Sequence, residues 1–107
     1  MSQDTIARIE SEIKNNKVVV FMKGVPEAPQ CGFSAATCEI FRKFPYPFKG
    51  INILANPDIR ATLPEYSNWP TFPQVFINGH LVGGCDIVHE LYESGELEKL
   101  LKEAFEK

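Results

Sequence analysis

The apolar positions change period along the chain. Ile6, Ile9 and Ile13 recur at helical spacing in a charged stretch and predict a helix over residues 4–15, ended by Asn15-Asn16. Val18 to Met22 is an unbroken β-branched and apolar run, which suits an inner strand covered on both faces. Residues 23–30 carry Gly24, Pro26 and Pro29 and read as loop. After Cys31-Gly32, the residues Phe33, Ala36, Thr37, Ile40, Phe41 and Phe44 repeat as one helix face, and Pro45 and Pro47 stop that helix. Residues 48–53 predict a second strand. Asn56 stands as an N-cap before Pro57 at the first helical position. Pro64 limits that helix to about two turns, or kinks it. Residues 74–77 predict a third strand, Asn78-Gly79 a hairpin turn and Leu81-Val82 a short fourth strand. Gly83-Gly84 breaks it, and Asp86 caps a helix running to Tyr92. Ser94-Gly95 precedes a last helix whose apolar stripe is Leu97, Leu100, Leu101, Ala104 and Phe105.

The order α-β-α-β-α-β-β-α-α predicts an α/β fold. The first β-α-β crossover makes two parallel strands in a right-handed connection, and the last two strands form an antiparallel hairpin. A small mixed sheet with helices on both faces is the natural three-layer solution. With no repeat or linker, residues 1–107 read as one domain. A chain of this size folds from about 17,500 Å² of accessible surface to about 6,000 Å², enough for a core without disulfides. The 44% hydrophobic and 23% charged content excludes disorder. A net charge of -3 argues against a nucleic-acid surface, and no apolar run is long enough to span a membrane. The first residues show neither an export signal nor an Arg-rich transit segment, and the three cysteines are unevenly spaced. A reducing compartment, most simply the cytoplasm, is the expectation.

Cys31 is the candidate for chemistry. It follows a Pro-rich loop and opens a helix, so unsatisfied N–H groups and the helix dipole favour its thiolate. Lys23, at the end of the first strand, adds positive potential, and a reactive, low-pKa cysteine follows. The alternative is a buried structural cysteine. Cys31 lies about 140° from the apolar helix face centred near Phe33, Ile40 and Phe44, which favours reactivity. Position 34 is serine, so no dithiol pair exists there; Ser34 can donate a hydrogen bond to the thiolate. Cys38 lies about 10 Å along the helix from Cys31, beyond disulfide reach, and reads as a bystander on the helix flank. Cys85 either resolves Cys31 or is a small residue packed beside a tight turn. His80 and His89 lack zinc spacing to any cysteine and read as solvated. One exposed thiolate per chain can still supply a site shared between two chains and completed by a thiol cofactor.

Two further segments have groove character. Thr71-Phe72-Pro73 precedes the third strand, where a proline leaves main-chain groups free to pair with an extended peptide. Gly84-Cys85-Asp86 opens a helix, and its N–H groups can receive a carboxylate.

The block Cys31-Gly32-Phe33-Ser34 resembles the signature of the CGFS-type monothiol glutaredoxins in their single-domain form. Met22-Lys23-Gly24, Pro29-Gln30, Trp69-Pro70-Thr71-Phe72-Pro73-Gln74 and Gly83-Gly84-Cys85-Asp86 extend the match over nearly the whole chain. The resemblance implies a thioredoxin-like fold with a four-stranded mixed sheet. It also implies glutathione as cofactor and a 2Fe–2S cluster held by a homodimer, with Cys31 of each chain and two glutathione thiolates as iron ligands. Carried over, Lys23 and Arg60 hold the glycine carboxylate, and Phe72, before a cis Pro73, pairs with the cysteinyl unit. Phe33 and Gly84 border the ligand. The N–H groups of Cys85 and Asp86 hold the γ-glutamyl carboxylate, and the Asp86 side chain faces its ammonium. Only the resemblance lifts Arg60 above a solvated helix residue. Trp69 is expected to pack at the groove margin, and Cys38 has no role.

Three functional readings follow. The first is an iron–sulfur carrier whose partners are apo iron–sulfur proteins and BolA-like proteins. The second is a glutathione-dependent thiol–disulfide oxidoreductase working by a monothiol mechanism, with Cys85 as a redox switch in one variant. The third is an interaction module with an inert Cys31.

Overall fold

The central strand explains the layering. In the computed structural model, which describes residues 2–106, all of Val18–Met22 (β1) is buried. Its side chains alternate between two cores. Val18, Val20 and Met22 enter one, and Val19 and Phe21 the other. β1 pairs in parallel with Lys49–Asn52 and antiparallel with Gln74–Ile77, which pairs antiparallel with His80–Gly83.

Helices Gln3–Asn15 (α1) and Pro57–Ser67 bury Ile9, Ile13, Ile59 and Leu63 on one face of this sheet. Gly32–Arg42 (α2), Cys85–Ser94 and Glu96–Phe105 cover the other face with Cys38, Ile40, Phe41, Val88, Leu97, Leu101 and Ala104. The accessible surface of 6008 Å² matches that expected from the chain's size.

Residues 23–30 are not simple loop. Gly24–Val25 (β2) and Ala28–Pro29 (β3) form a small antiparallel hairpin around Pro26-Glu27. Gly24 makes it possible. Its φ is +90°, and a Cβ there would lie 2.6 Å from the Ala28 carbonyl oxygen. The four-stranded sheet is therefore β4 (Lys49–Asn52), β1, β5 (Gln74–Ile77) and β6 (His80–Gly83) in spatial order.

Three helix expectations change. The helix α3 (Pro57–Ser67) runs through Pro64 for 11 residues. Packing of Ile59 and Leu63 and a tied-down last turn compensate for the missing N–H: Ser67 Oγ donates to the Leu63 carbonyl and the Trp69 N–H to that of Pro64. The helix α4 (Cys85–Ser94) has Gly84, not Asp86, at its N-cap; Asp86 lies in the first turn. The buried side of α2 is also rotated from the apolar pattern. Phe33 is 62% exposed, whereas Ser34, Thr37 and Cys38 are buried. Hydrogen bonds allow the polar pair inside. Ser34 Oγ accepts the Lys23 N–H at 3.1 Å, and Thr37 Oγ1 donates to the Phe33 carbonyl at 2.9 Å. The last helix, α5 (Glu96–Phe105), buries Leu97, Leu101 and Ala104 as its stripe predicts.

Candidate functional site

The end of β1, the start of α2, one side of α3, the loop before β5 and the start of α4 converge on one cleft. Cys31 is the N-cap of α2, with an extended backbone, and stands half-exposed at its rim. Its sulfur closes no capping hydrogen bond of full geometry. The Ser34 N–H nevertheless faces it and, with smaller help from the Phe33 N–H, the Lys23 charge and the Ser34 hydroxyl, holds the thiol below the free-cysteine range against the opposing effect of burial. Ser34 thus serves twice: its oxygen accepts from Lys23, and its hydroxyl hydrogen remains for the thiolate.

The cleft encloses about 740 Å³, within the usual range for small-ligand sites. Lys23 and Arg60 line it as the cationic side chains. Phe72 and the cis-bonded Pro73 form a wall, with Phe33 at the rim. Gly84, Cys85 and Asp86 bring the first N–H groups of α4 to it. Every residue proposed from the sequence for ligand binding therefore lines this one cleft. Pro64, Thr71 and Ile87 join them, and for Pro64 and Ile87 the sequence carries no chemical signal. Trp69 borders the cleft beside Gly84, where a Cβ would lie 3.5 Å from the indole nitrogen and 3.3 Å from the Pro73 carbonyl oxygen. A side chain at position 84 would press on the Pro73 carbonyl and rest against the indole.

The three thiols separate. Cys38 is not on the helix flank but fully buried in the core, 3.6 Å from Met22 Sδ, and desolvation raises its pKa. Cys85 is a half-exposed free thiol in the same cleft as Cys31. His80 and His89 are exposed; His89 lies 3.6 Å from Glu93. Among the described residues no three His, Cys, Asp or Glu side chains converge to hold a metal ion, and no helix is long and apolar enough to cross a membrane.

Alkylation should reveal the difference between thiols. A lowered pKa leaves Cys31 more thiolate at neutral pH than free cysteine, so its rate with iodoacetamide should rise at lower pH and level off earlier. Cys38 should stay unmodified in the folded protein. Mass mapping against pH checks both.

A helix-capped thiolate beside a cis proline, on a four-stranded mixed sheet, defines a thioredoxin-like thiol protein. The glutaredoxin family profile matches residues 18–82. The chain is 58% identical over 94 residues to a probable monothiol glutaredoxin 2 of Rickettsia conorii, covering 88% of each protein. It superposes on reduced apo GrxS14 of poplar with a TM-score of 0.84 at 44% identity, covering 95% of this chain and 94% of that one. A buckwheat glutaredoxin–glutathione complex gives 0.84 at 25% identity, covering 97% and 96%. The chain belongs to the glutaredoxin family, as a single-domain monothiol member of the CGFS type.

Proposed function

We propose that the cleft binds glutathione and that two copies of the chain, with two glutathiones, carry a 2Fe–2S cluster to apo-proteins. One observation carries this reading: Cys31 is a single, accessible, thiolate-favouring sulfur on a cleft whose charge pattern suits glutathione. Among the described residues no three His, Cys, Asp or Glu side chains converge around it, so a cluster here needs thiolates from outside. Glutathione is an extended peptide with a carboxylate at each end. Lys23 and Arg60 suit one, and the first N–H groups of α4 suit the other. Phe72 offers its main chain to the cysteinyl unit, and the Asp86 carboxylate faces the γ-glutamyl ammonium. The buckwheat relative was solved as a glutathione complex, which supports glutathione as the ligand. When bound, glutathione would supply the second thiolate; this chain's residues bind it, orient it and favour the Cys31 thiolate.

Apo iron–sulfur proteins are the proposed acceptors, and BolA-like proteins the proposed alternative partners to the second copy. The activated thiolate also favours a second reading as an oxidoreductase. Cys31 attacks the glutathione sulfur of a mixed disulfide and releases the client thiolate. A second glutathione thiolate then attacks, giving glutathione disulfide and free Cys31, with no resolving cysteine needed.

Calorimetric titration tests the shared step. Glutathione should bind the native protein, and Lys23→Gln should weaken it about tenfold through loss of one charge-assisted contact. Unchanged affinity in this variant would remove the proposed placement.

A further inference from the structure

Lys23 belongs to the β1–β2 junction and Arg60 to α3, yet both line the cleft. One residue, Asn52, is hydrogen-bonded toward both segments. The Oδ1 of Asn52, the last residue of β4, accepts the Gly24 N–H and the Leu54 N–H, each at 2.9 Å. The Leu54 contact is a local turn that any Asn or Asp could make. The Gly24 contact spans 28 residues and pins the peptide that follows Lys23.

On the other side, Asn56 Nδ2 donates to the Asn52 carbonyl at 2.8 Å. Asn56 is the N-cap of α3, and its own carbonyl accepts the Arg60 N–H at 3.0 Å. From α1, Arg8 Nη2 donates to Asn56 Oδ1 at 2.7 Å and fixes this end of α3 from outside. The remaining bonds on Lys23 come from the Cys31 side: its N–H goes to Ser34 Oγ, and its carbonyl accepts the Gln30 N–H at 2.9 Å. Asn52 is thus the joint between the Lys23 and Arg60 segments, its carboxamide bonded on the Lys23 side and its main-chain carbonyl on the Arg60 side.

We infer that Asn52 is a positioning residue for the cleft, holding Lys23 at a set distance from Arg60 so that both meet one ligand carboxylate. This rests on the glutathione reading. Without the Oδ1 acceptor, the part-buried Gly24 N–H loses its partner and the hairpin can pull Lys23 away from α3. The bound carboxylate then keeps one of its two cations.

The test compares Asn52→Leu, close in size but without an acceptor, with Asn52→Asp, which keeps the acceptor and adds a negative charge. Glutathione affinity is measured by calorimetry, and hydrogen exchange of the Gly24 amide by NMR. Asn52→Leu should weaken glutathione binding about tenfold, a loss consistent with one hydrogen bond and its geometry. Asn52→Asp should bind more tightly than Asn52→Leu. Charge alone would order them the other way. In a Lys23→Gln background, Asn52→Leu should cost no more than about twofold, because residues acting through one contact do not add.

Native-like affinity in Asn52→Leu, or a full additional loss on Lys23→Gln, would overturn the inference. If the native protein itself binds no glutathione, the functional reading has failed. The inference then stands on hydrogen exchange at the Gly24 amide, which should speed up in Asn52→Leu and stay near native in Asn52→Asp. If Asn52→Leu does not fold, Asn52→Ala, which admits a water to the two N–H groups, takes its place with the same expected order.

Discussion

Cys31→Ser protein should stay colourless when reconstituted with iron, sulfide and glutathione, and should bind no more iron than a buffer blank. The expectation follows from the cleft. Cys38 is sealed in the core with its thiol held protonated, and cannot substitute without unfolding. Cys85 shares the cleft but opens a different helix, so its sulfur approaches from another wall. The substituted side chain would keep the N-cap geometry, since serine is a good cap. The variant should therefore fold normally and keep its affinity for glutathione within about threefold, because the carboxylate contacts are untouched. Iron loading measured beside glutathione affinity separates loss of the ligand from loss of the fold. Cluster assembly at the native level in Cys31→Ser would contradict the assignment.

The largest stability effect should come from Phe21→Ala. Phe21 is fully buried in the middle of β1 and meets Phe76 edge to face, with ring centroids 5.7 Å apart. Around it pack Ile9, Ile51, Ile59 and Leu63, which tie α1 and α3 to the sheet. Truncation removes the ring's transfer energy and leaves a cavity that rigid strand backbone cannot close. The cost should be about 3–5 kcal/mol. For a domain with a typical stability of about 5–15 kcal/mol this is a large share, and some of the chain would be unfolded at physiological temperature. A urea titration gives the number. The same substitution at exposed Phe33 should change stability by less than about 0.5 kcal/mol.

Much of this architecture is legible in the residues. The buried run Val18–Met22, the helical spacing of the isoleucines and Asn78-Gly79 each state a local structure that the tertiary fold agrees with. Cys31 is legible because a cysteine at a helix start carries its own electrostatics. The site is harder to read where a role depends on distant partners. Arg60 looks like any solvated helix residue until α3 is laid beside Lys23, and only the family resemblance singles it out. Asn52 has no visible signal at all, because its partner Gly24 is 28 residues away.

The departures arise where packing, backbone conformation or a hydrogen bond outside the local pattern overrides local rules. Pro64 reads as a helix limit, but the packing of Leu63 and a capped last turn carry α3 past it. Phe33 reads as core, and Ser34 only as a donor to the thiolate. The Lys23 N–H draws Ser34 inside, which leaves Phe33 at the mouth of the cleft. Pro26 and Pro29 read as pure punctuation. Yet Gly24 at positive φ folds them into a hairpin, and Arg42 of α2 ties it down at the Pro26 carbonyl.

Native mass spectrometry of protein purified and reconstituted without oxygen, with parallel iron and sulfide assays, tests the central claim most directly. The account predicts a dimer holding one 2Fe–2S unit and two glutathiones, the count that one Cys31 per chain requires for about four thiolates around a cluster. A monomer that binds glutathione but no iron would contradict it and leave the oxidoreductase reading in its place.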